Sequence, residues 1–240
     1  MIRDYRPYYM KKLDLRFRDW YVDHFLRPHF KYLGTGGTFM KPWHIKVFGW
    51  PIELGDYANV ITTPENKVRL TVWAEKDTEA LIRIGNYCLI CPGVRISAAT
   101  SITIGDSCMM ASSVYITDAD WHGLYDRTDY IGKTSPVCIG NNVWIGDSAI
   151  VCKGVRIGDN SIIGAGSVVT RDIPENTIAA GNPAVIVKTL DKDHPITTRA
   201  DWFADPEKLE ANIDQIDRDM LKGNTLMGWI RSLVFPAKGC

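Results

Sequence analysis

Few side chains in this chain can take and return a proton near neutrality. Unperturbed histidine alone titrates there, and only five histidines occur among 240 residues. His24 and His29 lie in an aromatic N-terminal region, His44 follows Pro42 and Trp43, and His194 sits in a polar stretch near the end. His122 differs, because it ends the segment Thr117-Asp118-Ala119-Asp120-Trp121-His122. A carboxylate hydrogen-bonded to the far ring nitrogen of an imidazole fixes its tautomer and supports the protonated form. Asp118 and Asp120 are both candidates for that carboxylate, both are equally at home as turn residues, and the sequence does not choose between them. Such a pair takes a proton from a hydroxyl group. Arg171 and Lys188 have the charge to meet a phosphate, and otherwise read as ordinary surface cations. Trp144, beside Ile145, suits a ligand or a subunit contact better than a core. Six cysteines, at 88, 91, 108, 138, 152 and 240, include one Cys-x-x-C but no second ligand pair of the kind a zinc site needs. They read as small core residues in a reducing compartment.

The elements that must position these groups are set by a period of six. Ile139, Ile145, Val151, Ile157, Ile163 and Val169 fall at every sixth position; Val143, Ala149, Val155, Ser161, Ser167 and Ile173 follow at the same spacing. Gly140, Gly146, Gly158 and Gly164 stand beside the branched residues. A helix repeats near 3.6 residues and a half-buried strand near 2, so neither explains the run; a six-residue period marks a parallel β-helix. The branched residues point inward, the small ones fill corners, and three sides per coil place Ile139 under Ile157 and Ile145 under Ile163. Register becomes clear at Ile84, Ile90 and Ile96, with Cys88, Val94 and Thr100 at corners. The wider gap from Ile96 to Ile104 predicts a corner bulge, after which Ile104, Met110 and Ile116 restore the period. The repeat then lapses from Thr117 to Cys138 and resumes in phase, so that stretch, with His122, leaves a corner as a loop. Loops this long are uncommon without a purpose. Segments around Ile52, Val60 and Val68–Val72 are read as irregular first coils.

Ile-Gly-Asn-Asn-Val-Trp-Ile-Gly at 139–146, the run Ile-Gly-Asp-Asn-Ser-Ile-Ile-Gly-Ala-Gly-Ser-Val-Val-Thr-Arg-Asp-Ile-Pro at 157–174 and Ala-Gly-Asn-Pro-Ala at 180–184 resemble the hexapeptide-repeat acyltransferases, sugar O-acetyltransferases among them. The resemblance covers roughly residues 80–190. It implies a mainly β fold, a left-handed parallel β-helix, although parallel crossovers generally favour the other hand. It also implies a homotrimer and acetyl-coenzyme A or coenzyme A as co-substrate, with no metal. By the same resemblance His122 is the catalytic base at a subunit interface, and Trp144, Ala165, Thr170, Arg171 and Lys188 line the cofactor groove. The acceptor implied is a hydroxyl of a sugar or glycan precursor. Two other classes use such a solenoid. A γ-carbonic-anhydrase-like metal enzyme needs three converging histidines, of which the regular coils and their loop supply only His122. A noncatalytic trimeric scaffold would leave the loop histidine without a task.

The bulk numbers frame the rest. Equal counts of 28 basic and 28 acidic residues give no reason to expect a nucleic-acid partner. Neither a signal peptide nor a membrane span is apparent, which points to the cytoplasm. Residues 1–50 read as a helical, aromatic N-terminal extension, 51–190 as the β-helix with the insertion 117–138, and 191–240 as a helical C-terminal extension. Within the first, 8–27 has helical spacing of Met10, Leu13, Phe17, Trp20, Tyr21 and Phe25, with Pro28 stopping it. Its basic and aromatic mixture would suit a membrane surface, but docking of the apolar face on protein is preferred. Residues 1–33 hold eight Lys/Arg and four Asp/Glu, while 191–222 hold five and nine, so the two ends are expected to attract each other. Asp205 and Pro206 mark the start of a C-terminal helix. The apolar stretch 226–235 is expected to be covered by the N-terminal helix.

Overall fold

Three parallel sheets, stacked coil on coil, form the body of the computed structural model, which describes residues 4–73, 80–191 and 193–235. The first face is built from Tyr32–Leu33, Ile52–Leu54, Leu81–Ile84, Ser101–Ile104, Val137–Ile139 and Arg156–Ile157. The second runs through Thr38–Met40, Asn59–Ile61, Leu89–Ile90, Met109–Met110, Trp144–Ile145, Ile162–Ile163 and Thr177–Ala180, and ends on the antiparallel strand Val185–Thr189. The third comprises Ile45–Phe48, Val68–Val72, Arg95–Ala98, Tyr115–Thr117, Ile150–Val151 and Val168–Val169. The chain visits the faces in turn, so this is a parallel β-helix with a mainly β architecture.

Register follows the six-residue pattern. Ile139 pairs with Ile157, Ile145 with Ile163 and Val151 with Val169. Across the insertion Ile104 still pairs with Ile139, Met110 with Ile145 and Ile116 with Val151. These inward side chains are buried almost completely, and full burial of each aliphatic residue is worth roughly 1.5–3 kcal/mol. Cys88 and Cys108 are buried among them; Cys240 lies outside the described residues.

The corner between the first and second faces shows why small and polar residues recur. Tyr57, Tyr87, Ser107, Asn142, Asn160 and Asn176 adopt left-handed backbone with φ of 54–60°, a conformation Asn tolerates better than most residues. Asn142 Nδ2 donates to Asn160 Oδ1, and Asn160 Nδ2 to Asn176 Oδ1, both at 3.0 Å. The preceding column alternates Asp56, Asn86, Asp106, Asn141 and Asp159. From Asn86 onward, each Oδ1 accepts the backbone N–H one coil earlier at 2.7–2.9 Å. A neutral amide thus separates successive carboxylates, avoiding like charges on adjacent rungs. Gly140 is required beside this column, because a Cβ there would fall 2.1 Å from Asp159 Oδ1.

The early coils revise the expected boundaries. Tyr32–Leu33, Thr38–Met40 and Ile45–Phe48 pair with Ile52–Leu54, Asn59–Ile61 and Val68–Val72, so the β-helix begins well before residue 51. The residues between Gly34 and Gly37 are a corner of this first coil: Thr35 N–H donates to Asp56 Oδ1 at 2.8 Å, and Tyr57 N–H to Thr35 O. Uneven corner lengths broke the period in the sequence without breaking the pairing. At the other end, Arg199 Nε donates to Tyr87 O at 2.7 Å and Ala200 N–H to Ser107 Oγ, which joins residues beyond 190 to the coils.

The chain divides into two compact units, residues 21–201 and a second one of 1–20 with 202–240. The helices are α1 (Tyr8–Tyr21), the single turn α2 (Arg199–Trp202), α3 (Pro206–Met220) and α4 (Leu226–Val234). After α1 the chain passes through a π turn, Val22–Leu26, and a 3-10 turn, Arg27–His29, that holds Pro28. Asp205 caps α3 by accepting Lys208 N–H at 3.0 Å. Within this smaller unit the basic and acidic ends meet: Lys11 reaches Asp217 at 2.5 Å, and Asp214 receives Lys12, Tyr8 and Arg218 at 2.7, 2.5 and 2.8 Å. The polar faces are therefore the ones that join. Leu13, Phe17 and Trp20 of α1 remain exposed, as do Met227, Leu233, Val234 and Phe235, so the stretch 226–235 is not covered as its composition suggested.

Candidate functional site

His122 stands on the insertion, which leaves after Tyr115–Thr117 and returns at Val137–Ile139, at the corner from the third face to the first. The base of the loop closes as a short antiparallel clasp. Ala119 bridges Thr134, Asp120 N–H donates to Lys133 O at 3.1 Å, and Ser135 N–H donates to Asp118 O at 2.8 Å. Trp121, with φ of +66°, directs its indole N–H at Thr117 Oγ1 (2.8 Å) and Tyr115 Oη (3.1 Å). Gly132 lies so near the His122 carbonyl that a Cβ would approach its oxygen to 2.3 Å. These contacts fix the backbone around the imidazole while the ring itself stays exposed.

The two aspartates have work of their own. Asp118 is fully buried, and its oxygens accept Ala99 N–H at 2.7 Å and Thr100 N–H at 2.8 Å. It thereby caps the corner bulge between Ile96 and Ile104. Burial pushes its carboxyl above the ordinary value, and the backbone N–H donors pull the other way. Asp120 pairs with Lys153 at 2.5 Å, a residue in the corresponding corner turn of the next coil. Among the described residues neither carboxylate, nor any other group, is hydrogen-bonded to the His122 ring. Sequence reading passed over Lys153, Tyr115 and Trp121; the outward phase of Tyr115 beside inward Ile116 was the available signal.

The remaining candidates divide between parts of the coil. Trp144 and Lys188 share an outward row of the second face, in which Met109, Trp144, Ile162 and Ile178 pair in sequence and Lys188 lies opposite Ile178. Ala165 is exposed in the turn from the second face to the third, where a Cβ on Gly146 would meet its backbone N at 2.6 Å. Thr170 and Arg171 are exposed at the next corner. That corner is the one from which the His122 loop departs; Gly154 N–H donates to Ser135 O, and Cys152 N–H to Val169 O. His122, Lys153, Thr170 and Arg171 therefore belong to a single edge of the coil, whereas Trp144 and Lys188 lie across a face from it. Among the described residues no three His, Cys, Asp or Glu side chains are grouped to hold a metal ion. Burial raises the thiols of Cys91 and Cys152 above their ordinary value, which does not favour thiolate chemistry.

Comparisons with known proteins meet this geometry at the repeat. A family model described as bacterial transferase hexapeptide (six repeats) matches residues 139–171. Galactoside O-acetyltransferase of Escherichia coli (strain K12) is 43% identical over 96 residues, covering 39% of this chain and 47% of that protein. The chain thus spans about half the length of that curated relative. Among solved structures, a point mutant of AntD, an N-acyltransferase from Bacillus cereus in complex with dTDP-4-amino-4,6-dideoxyglucose and coenzyme A, superposes with a TM-score of 0.57. The match covers 81% of this chain and 95% of that one at 18% identity, a likeness of fold. With its coils in register and its repeat matched over 139–171, the chain carries the bacterial transferase hexapeptide repeat over that stretch and is similar there to hexapeptide-repeat acetyltransferases.

Proposed function

We propose that the protein transfers an acyl group, acetyl in the first instance, from acyl-coenzyme A to a hydroxyl of a sugar or glycan precursor. The observation that carries this reading is the exposed His122 imidazole on a loop pinned by Trp121 and by the clasp at its base. His122 removes the hydroxyl proton as the oxygen attacks the thioester carbonyl. The tetrahedral intermediate collapses with loss of the thiolate, and the imidazolium returns the proton to sulfur. In this scheme Lys153 and Asp120 hold the loop, and the aspartates do not relay charge. The galactoside O-acetyltransferase relative and the coenzyme A bound to the AntD mutant support the choice of reaction and donor.

The same reading takes the coil as left-handed and the active assembly as a homotrimer. The outward row of Met109, Trp144, Ile162 and Ile178 is apolar enough to meet another copy, and the separation of Trp144 and Lys188 from Thr170 and Arg171 becomes sensible if two copies each contribute one set to a coenzyme A groove. A cytoplasmic setting accords with the use of acyl-coenzyme A. His122→Ala tests the mechanism. Its turnover, followed by thiol release with a panel of sugar acceptors, is expected to fall by about 10²–10⁴ while its thermal unfolding stays like that of the parent. Turnover within a few-fold of the parent removes His122 as the base.

A further inference from the structure

One outward row of the third face breaks the rule of charge followed elsewhere on the coil. Lys46 pairs with Arg69, Arg69 with Arg95, and Arg95 with Tyr115. All three cations are exposed, and among the described residues no carboxylate makes an ion pair with any of them. Neighbouring strands stand roughly 4.8 Å apart, so like charges here occupy successive rungs, an arrangement that opposes folding. On the first face, by contrast, Glu53 sits between Lys31 and Arg83 at 2.9 and 2.6 Å, and the corner column alternates Asp with Asn.

The row also has a direction. It climbs the first three coils and ends, in the fourth, at Tyr115, whose ring carries the Arg95 guanidinium at 3.7 Å and whose hydroxyl accepts from Trp121, the neighbour of His122. A column of hydroxyls runs beside it, Thr71, Ser97 and Thr117 in paired positions, with Thr71 Oγ1 donating to Ser97 Oγ at 3.0 Å. The cations suggested for coenzyme A, Arg171 and Lys188, lie in coils on the far side of the loop. Along the coil axis the row therefore precedes the loop that carries His122, and Arg171, on the same edge as His122, follows it.

We propose that Lys46, Arg69 and Arg95 hold the diphosphate of a sugar diphosphate acceptor, and that the sugar extends along the Tyr115 end of the row so that its hydroxyl meets His122. Two rungs span roughly 9–10 Å, enough for a diphosphate to engage two adjacent cations while the third faces the link to the sugar. Arginine favours this use because its planar fork binds phosphate oxygens in pairs. The assignment rests on the reading of His122 as the base, but the binding step is separable from transfer.

Calorimetric titration of the full-length protein at low salt, with UDP-glucose and inorganic pyrophosphate as probes, tests it. Both are expected to bind, and the double variant Lys46→Ala/Arg69→Ala is expected to weaken both at least tenfold without lowering the thermal midpoint; Arg69→Lys retains most of the binding. UDP-glucose should bind equally well when coenzyme A is already saturating, which separates an acceptor diphosphate from the diphosphate of the donor. The proposal is overturned if neither probe binds, if the double variant binds them like the parent, or if coenzyme A displaces UDP-glucose. Intact UDP-glucose binding in His122→Ala keeps this outcome distinct from that of the transfer mechanism: a fully active His122→Ala would sink the mechanism and leave the diphosphate site standing.

Discussion

At the scale of single residues, the contrast between Asp118 and His122 explains why carboxylates upstream of an imidazole are a poor guide to its partner. Asp118 is committed on both oxygens to the N–H groups of Ala99 and Thr100, so its demand is structural. Asp118→Asn presents an amide N–H₂ where one of those donors needs an acceptor, and leaving a buried donor unsatisfied costs about 1–3 kcal/mol. The expected result is a lower urea midpoint in the protein without substrates. An unchanged midpoint would contradict the cap. The spacing of Asp118 and Asp120 from His122 revealed nothing of this, because the partner N–H groups belong to the preceding coil and Lys153 to the following one. Residues brought together by stacking are remote in the chain, and no local pattern records them.

The loop as an element makes the opposite point. Its departure from a corner was legible, since Ile116 and Ile139 keep the inward phase on either side of the interruption. How it is held was not, because Trp121 reads as one more aromatic until its indole N–H is seen on Thr117 and Tyr115. Trp121→Phe removes both hydrogen bonds and keeps most of the apolar surface. Under the proposed mechanism it is expected to lower kcat several-fold to about tenfold, with a small effect on thermal unfolding, because misplacing a catalytic group is costly even when the fold is intact. Equal kcat in the variant and the parent would mean that the clasp at residues 118–120 and 133–135 suffices by itself. The cation row was hidden for a related reason. Uneven corners in the early coils disguise the fact that Lys46, Arg69 and Arg95 share a phase, which only the pairing reveals.

For the molecule as a whole, the six-residue period announced the coils, whereas the terminal segments carried less information. Charge did foretell that the ends attract each other, and in the smaller unit the contact is concentrated on Asp214. Lys12, Tyr8 and Arg218 hold its carboxyl well below the ordinary carboxylate range, and Arg6 lowers that of Asp4. A carboxyl depressed in the folded state stabilises it fully above the ordinary value of about 3.9, and that stabilisation disappears as pH falls toward the folded value. Helical circular dichroism should therefore begin to decline below about pH 4, and Asp214→Asn should already have lost part of that stabilisation at neutral pH. A parent signal that stays flat down to pH 2, together with an Asp214→Asn variant of undiminished stability, would show that these ion pairs contribute nothing.

The uninterrupted stacking of Ile116 on Val151 and of Ile104 on Ile139 has a consequence for how such a molecule changes over time. The rod is indifferent to the length of the detour between them, so a longer, shorter or wholly different excursion can be spliced in at that edge with no penalty to the layers above and below. Chemistry and scaffold are then free to diverge at separate rates.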